Sequence, residues 1–155
     1  MPFYYLSFIL IVVFIPAVTA NSGYDPAVGH DTVFKTLRMN EEELNHVSAL
    51  QAIMDYNKLH DFVNTKYQTT PLTDEEREDV EKYLGNRPPS VVDTFLTDED
   101  RKKLSEFHKS RLLDNIFAVV RQRLFELKPS DRRTAVNYMW PNADNFILQY
   151  FGVEK

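Results

Sequence analysis

Four histidines and a run of carboxylates are the side chains in this sequence with the widest chemical repertoire. His30, His46, His60 and His108 could ligate a metal or shuttle a proton, but no two of them have the i, i+4 spacing of an HExxH helix. His46 and His60 stand 14 positions apart, too far for one ion unless the chain turns between them. The run "DEEREDVE", residues 74–81, suggests calcium by its charge alone. It lacks the alternating oxygen ligands and central glycine of an EF-hand loop, so a solvated helix start explains it better. There is no glycine-rich phosphate loop, no GxSxG elbow and no cysteine, which excludes thiolate catalysis and cysteine-ligated zinc. The expectation is a protein without catalysis, metal or cofactor.

The elements around these residues read as helices. Glycines are few, no Asn-Gly hairpin signal occurs, and strict two-residue alternation is rare. Two phrases, "LTDEER" from Leu72 and "LTDEDR" from Leu96, repeat at an offset of 24. Thr73 and Thr97 are each placed to cap a helix, with Glu76 and Asp100 three residues on to reach back to the cap N–H. The acids between them favour the positive end of the helix dipole, and Leu72 and Leu96 stand where a hydrophobic staple would. "MNEEEL" repeats the plan with Asn40 as cap and Glu43 as its partner, and Ser130 is expected to cap the helix after Pro129. Two matches at one offset fall short of a sustained repeat.

Helical phase shows where long segments break. Leu113, Ile116, Phe117, Val120 and Leu124 share one face, yet continuing that stripe upstream meets Lys102, Ser105, Glu106 and Lys109. A break is therefore expected between residues 108 and 111. A second is expected between residues 55 and 57, where the Leu44, Val47, Leu50 and Met54 face gives way to Tyr56, Leu59, Phe62 and Val63. Ala143, Phe146, Ile147, Tyr150 and Phe151 form a final stripe that Gly152 is placed to end. The fold class is thus all-α: one compact domain of about seven short to medium amphipathic helices, a packing that can, but need not, enclose an internal apolar cavity.

The first twenty residues, "MPFYYLSFILIVVFIPAVTA", are apolar and uncharged, and end in the small residues a signal peptidase accepts. We read residues 1–20 as a secretory signal and residues 21–155 as the domain, secreted and extracellular. No Asn-x-Ser/Thr sequon follows. Charge is uneven: residues 21–100 carry 7 basic against 17 acidic side chains, and residues 101–155 carry 11 against 6. The basic part could attract an anionic membrane or an acidic partner, whereas the net charge of −5 and the secretory route argue against nucleic acid.

The phrases "LTDEDRKKL" and "LTDEEREDV", together with "LFELKPSDRRTAV", resemble the helix openings of the nematode fatty-acid- and retinol-binding protein family over residues 64–139. The chain departs from that family in being shorter, richer in Phe and Tyr, and in carrying Arg where Lys is common there. Another secreted helical nematode family is the open alternative. The resemblance implies a helical shell that sequesters a fatty acid or retinol without covalent chemistry. The lining it points to is Tyr83, Phe107, Leu113, Ile116, Phe117, Val120, Leu124 and Phe146, with Arg121 and Arg123 as headgroup partners. The competing expectation is a secreted interaction protein with a filled core that acts through its surface on a protein or membrane. The oligomeric state has no sequence signal.

Overall fold

The absence of strand patterning is matched by the backbone: every regular element among the described residues is a helix. The computed structural model describes residues 30–154, so the signal expected in residues 1–20 lies outside them. Nine helices are present among the described residues: α1 His30–Thr36, α2 Glu41–Ala52, α3 Tyr56–Thr69, α4 Asp74–Gly85, α5 Ser90–Thr94, α6 Asp98–Lys109, α7 Leu113–Glu126, α8 Pro129–Met139 and α9 Asn145–Tyr150. The count exceeds the expected seven because α1 and the five-residue α5 are too short to show a periodicity of their own. The chain divides into two compact units, one of residues 30–51 and 55–87, the other of residues 52–54 and 88–154.

The repeated helix starts are capping boxes. The Thr73 hydroxyl accepts from the Glu76 N–H at 3.2 Å while Glu76 accepts from the Thr73 N–H at 2.9 Å. Thr97 and Asp100 do the same at 3.1 and 3.0 Å, and so do Asn40 and Glu43 at 3.0 and 2.9 Å. Each third-position acid also binds a cation from elsewhere in its own unit. Lys66 reaches Glu43 at 2.7 Å, Arg38 reaches Glu76 at 3.2 Å, and Arg123 reaches Asp100 at 2.9 Å. The phrase therefore does two jobs, satisfying orphan amides at a helix start and tying that start to a neighbouring element. Thr97→Ala is expected to cost about 1 kcal/mol of stability, read from a shift in the urea midpoint without a change of slope.

Helix ends explain the direction changes. Arg38, Met54, Arg111 and Gly152 all have positive φ, of 51°, 55°, 56° and 70°. At each, the following amide reaches back five residues, as from Leu112 to Phe107 and from Val153 to Leu148. Arg111 makes the expected break between α6 and α7. The other break falls slightly upstream of its expected place, at Met54, because Asp55 is taken up as the cap of α3, accepting from the Lys58 N–H at 3.2 Å. Ser130 does not cap α8. Pro129 occupies its first turn, Lys128 precedes it, and Ser130 is already inside the helix. Proline suits that position because it has no N–H to leave unsatisfied.

In the first unit α4 packs on α1 and α3, around Val33, Leu37, Val47, Leu59, Val63 and Val80, all essentially inaccessible to solvent. Leu44, assigned by phase to this face, lies exposed instead. In the second unit α7 packs on α6 and α8, and α5 packs on α8. Its centre holds Leu104, Ile116, Val120, Leu124, Ala135 and Val136. Burying a side chain of this size contributes about 1.5–3 kcal/mol, which is what a chain with no disulfide must rely on.

Candidate functional site

The α7 stripe read from the sequence divides into two edges. Ile116, Val120 and Leu124 face the core with no exposed surface, and Leu113 is half-buried at the start of the helix. Phe117 belongs to the adjacent edge, with Arg121 and Phe125 following at four-residue steps. The Phe117 ring lies 6.2 Å from Trp140 and 6.1 Å from Phe151, and those two rings stack at 4.5 Å with only 6° between their planes. Trp140 ends α8 and Phe151 ends α9, so three elements assemble one aromatic wall.

Arg121 and Arg123 were grouped as headgroup candidates, and their surroundings separate them. Arg123 places Nε 2.9 Å and Nη2 3.1 Å from the two carboxylate oxygens of Asp100, and Nη1 3.0 Å from Glu126. Its pKa is raised, chiefly by hydrogen bonding to Asp100. Burial alone would raise the Asp100 carboxyl, but Arg123 and the Thr97 donors outweigh it and hold that carboxyl below its usual range. Arg121 instead donates Nε to the Tyr150 carbonyl at 2.8 Å, and its guanidinium lies over Phe125 at 4.6 Å and Tyr150 at 5.1 Å. No carboxylate among the described residues forms an ion pair with it.

The remaining sequence candidates are scattered. Phe107 is half-buried on α6, and Phe146 on α9 is 42% exposed. The last stripe is buried only at its end, because α9 starts at Asn145, after Ala143, and Asp144 caps it by accepting from Ile147 at 2.9 Å. Tyr83 belongs to the first unit, where it stacks on the buried His60 at 4.8 Å. Burial, with a smaller contribution from Arg87, lowers the pKa of His60 to about 4, so its imidazole is neutral at physiological pH.

Sequence reasoning missed Arg132, the most heavily used cation in the second unit. It donates to the carbonyls of Leu124, Phe125 and Leu127 at 2.9–3.2 Å and to that of Gly152 at 3.1 Å. It therefore caps the end of α7 and fastens the chain terminus to it. An arginine six residues past a helix end that is followed by Pro is the only hint in the sequence. A surface depression in the first unit, lined by Asn40, Glu41, Glu42 and Asn45, is polar and acidic and does not suit an apolar chain. Among the described residues no three His, Asp or Glu side chains gather as a metal ion requires, and no helix is long and apolar enough to cross a membrane.

Compared with models of known families, with curated proteins and with solved structures, the chain finds no significant match.

Proposed function

We propose that the protein binds a single-chain amphiphile, a fatty acid or retinol, without catalysis, in the manner of the nematode family its helix starts resemble. The observation that carries this reading is the edge of α7: Phe117 stands against Trp140 and Phe151, and one turn on Arg121 offers a cation that no carboxylate among the described residues neutralises. An apolar chain beside such a wall gains about 0.8 kcal/mol per methylene buried, and a carboxylate headgroup gains a charge-assisted hydrogen bond. Arg121 takes the headgroup role in this proposal, because Arg123 already serves two carboxylates. The apolar, uncharged run of residues 1–20, read as a secretory signal, supports a site of action outside the cell.

Lipid extraction and native mass spectrometry on the full chain from a eukaryotic host, followed by displacement of a fluorescent fatty-acid analogue, test the reading. A copurifying lipid and saturable one-site displacement by oleate are expected, weakened roughly tenfold by Arg121→Gln, the worth of one charge-assisted hydrogen bond. A lipid-free protein that displaces nothing contradicts it. A second reading, association through the surface with a protein or an anionic membrane, draws on Leu112, Phe125 and Phe146, which are more than 40% exposed. Flotation of the protein with anionic vesicles, in the absence of fatty-acid displacement, would favour that reading.

A further inference from the structure

Helix α9 has no buried residue of its own, yet the chain that follows it buries Phe151 and Val153. Three arginines fasten this stretch, and all three use main-chain acceptors. Arg121 Nε donates to the Tyr150 carbonyl at 2.8 Å, Arg132 Nη1 to that of Gly152 at 3.1 Å, and Arg133 Nη2 to that of Glu154 at 2.9 Å. Carbonyls of alternate residues are held, and the side chains between them are the buried ones. The stretch is the turn that ends α9, gripped from outside by its main-chain oxygens while its alternate side chains fill the space beneath. The floor is apolar: Phe117 and Trp140 meet Phe151, and the Phe125 ring lies 4.6 Å from both the Arg121 and the Arg132 guanidinium.

The chemistry of the fastening is unbalanced. Among the described residues none of the three guanidiniums forms an ion pair, so three cations share neutral carbonyls as partners. A carboxylate is the stronger acceptor for a guanidinium, by roughly a factor of two in hydrogen-bond energy. The stretch follows α8 through the turn at residues 140–143, where the Ala143 N–H donates to the Trp140 carbonyl at 3.0 Å.

We infer that residues 144–154 form a strap over a site for a long-chain carboxylate. The headgroup takes the arginine donors from the strap carbonyls, and the apolar chain replaces Phe151 and Val153 against Phe117 and Trp140. This rests on the amphiphile-binding reading and adds to it the place, the headgroup partners and the mode of opening. Apparent affinity then carries the closed strap as a penalty, because only the open fraction is competent. Gly152 sets that fraction. Its φ is 70°, and a Cβ there would stand 2.7 Å from Arg132 Nη1 and 2.8 Å from the Phe125 ring, so Gly152→Ala strains the turn and loosens the strap while Phe117 and Trp140 stay unsubstituted.

Hydrogen exchange on the full chain, with oleate and with uncharged oleyl alcohol as probes, reads the turn that ends the strap and must open for Phe151 and Val153 to leave. The Phe151, Gly152 and Val153 amides donate to Ile147, Gln149 and Leu148 in the closed form. Saturating oleate is expected to speed their exchange roughly tenfold or more while α7 amides stay protected, and oleyl alcohol is expected to leave them unchanged. Gly152→Ala, shown by circular dichroism to keep its helices, is expected to bind oleate roughly tenfold more tightly. Should that variant fail to fold, the wild-type exchange decides alone. Oleate bound with strap exchange unchanged, or equal opening by the alcohol, overturns the strap and leaves the binding reading standing. No oleate binding by wild type or variant overturns both.

Discussion

Asp100→Ala is expected to lower the unfolding free energy by about 3 kcal/mol, a cap and a buried charge pair combined. Asp100 is 4% exposed, and its carboxylate accepts from the Thr97 N–H and hydroxyl as well as from Arg123. Alanine removes the acceptor for an orphan amide at the start of α6 and leaves the partly covered Arg123 with only Glu126 to serve. Asp100→Asn keeps the shape and one acceptor but loses the charge, and should fall between wild type and alanine. Glu76 holds the equivalent place in the first unit at a more exposed position, so Glu76→Ala should shift the urea midpoint less. Equal shifts for the two alanine variants would contradict the assignment of Asp100 as the tighter tie.

Acidification is the second large effect. The pKa of His60 falls from an ordinary 6.5 to about 4 in the folded chain, chiefly through burial. Between those values the unfolded chain binds the proton more readily, so this contribution is complete above pH 6.5 and is lost as pH drops towards 4. A shift of that size corresponds to about 3 kcal/mol, and His108, lowered by burial as well, adds in the same direction. Arg87 opposes the imidazolium and Asp61 favours it, so both belong to the same titration. Glu43, Glu76 and Asp100, all lowered, hold their stabilisation to more acid pH and lose it once they protonate. Urea unfolding from pH 7 to pH 4.5 should show wild type losing most of this increment. His60→Phe, which preserves a ring against Tyr83, should lose less over the same range, keeping only the His108 contribution. Parallel profiles for the two proteins would contradict the buried neutral imidazole.

The parts of this fold that were legible in the sequence are local ones. Capping boxes are four-residue chemistry, so Thr73, Thr97 and Asn40 announce their helices, and the phase slip after Lys109 announces the break at Arg111. What stayed hidden is long-range. Nothing at Asp100 signals that its ionic partner is Arg123, 23 positions on, or that Arg132 reaches back to the end of α7. Phase placed Phe117 in one stripe with Ile116, Val120 and Leu124, because a helical wheel resolves a face about 100° wide and cannot divide it between two neighbours. Arg121 and Arg123 look alike in sequence, and only their surroundings distinguish a cation held by two carboxylates from one resting on main-chain oxygen. Ser130 shows the limit of local reading, since its type suits a cap while the preceding proline claims the start of the helix.

Calorimetric titration of oleate into the delipidated full chain tests the central claim most directly. The account predicts one saturable site, a negative heat-capacity change from apolar burial, and a loss of affinity in Arg121→Gln that Arg123→Gln does not match once allowance is made for folding stability. No heat and no saturation with folded protein, or equal loss in the two arginine variants, would contradict it.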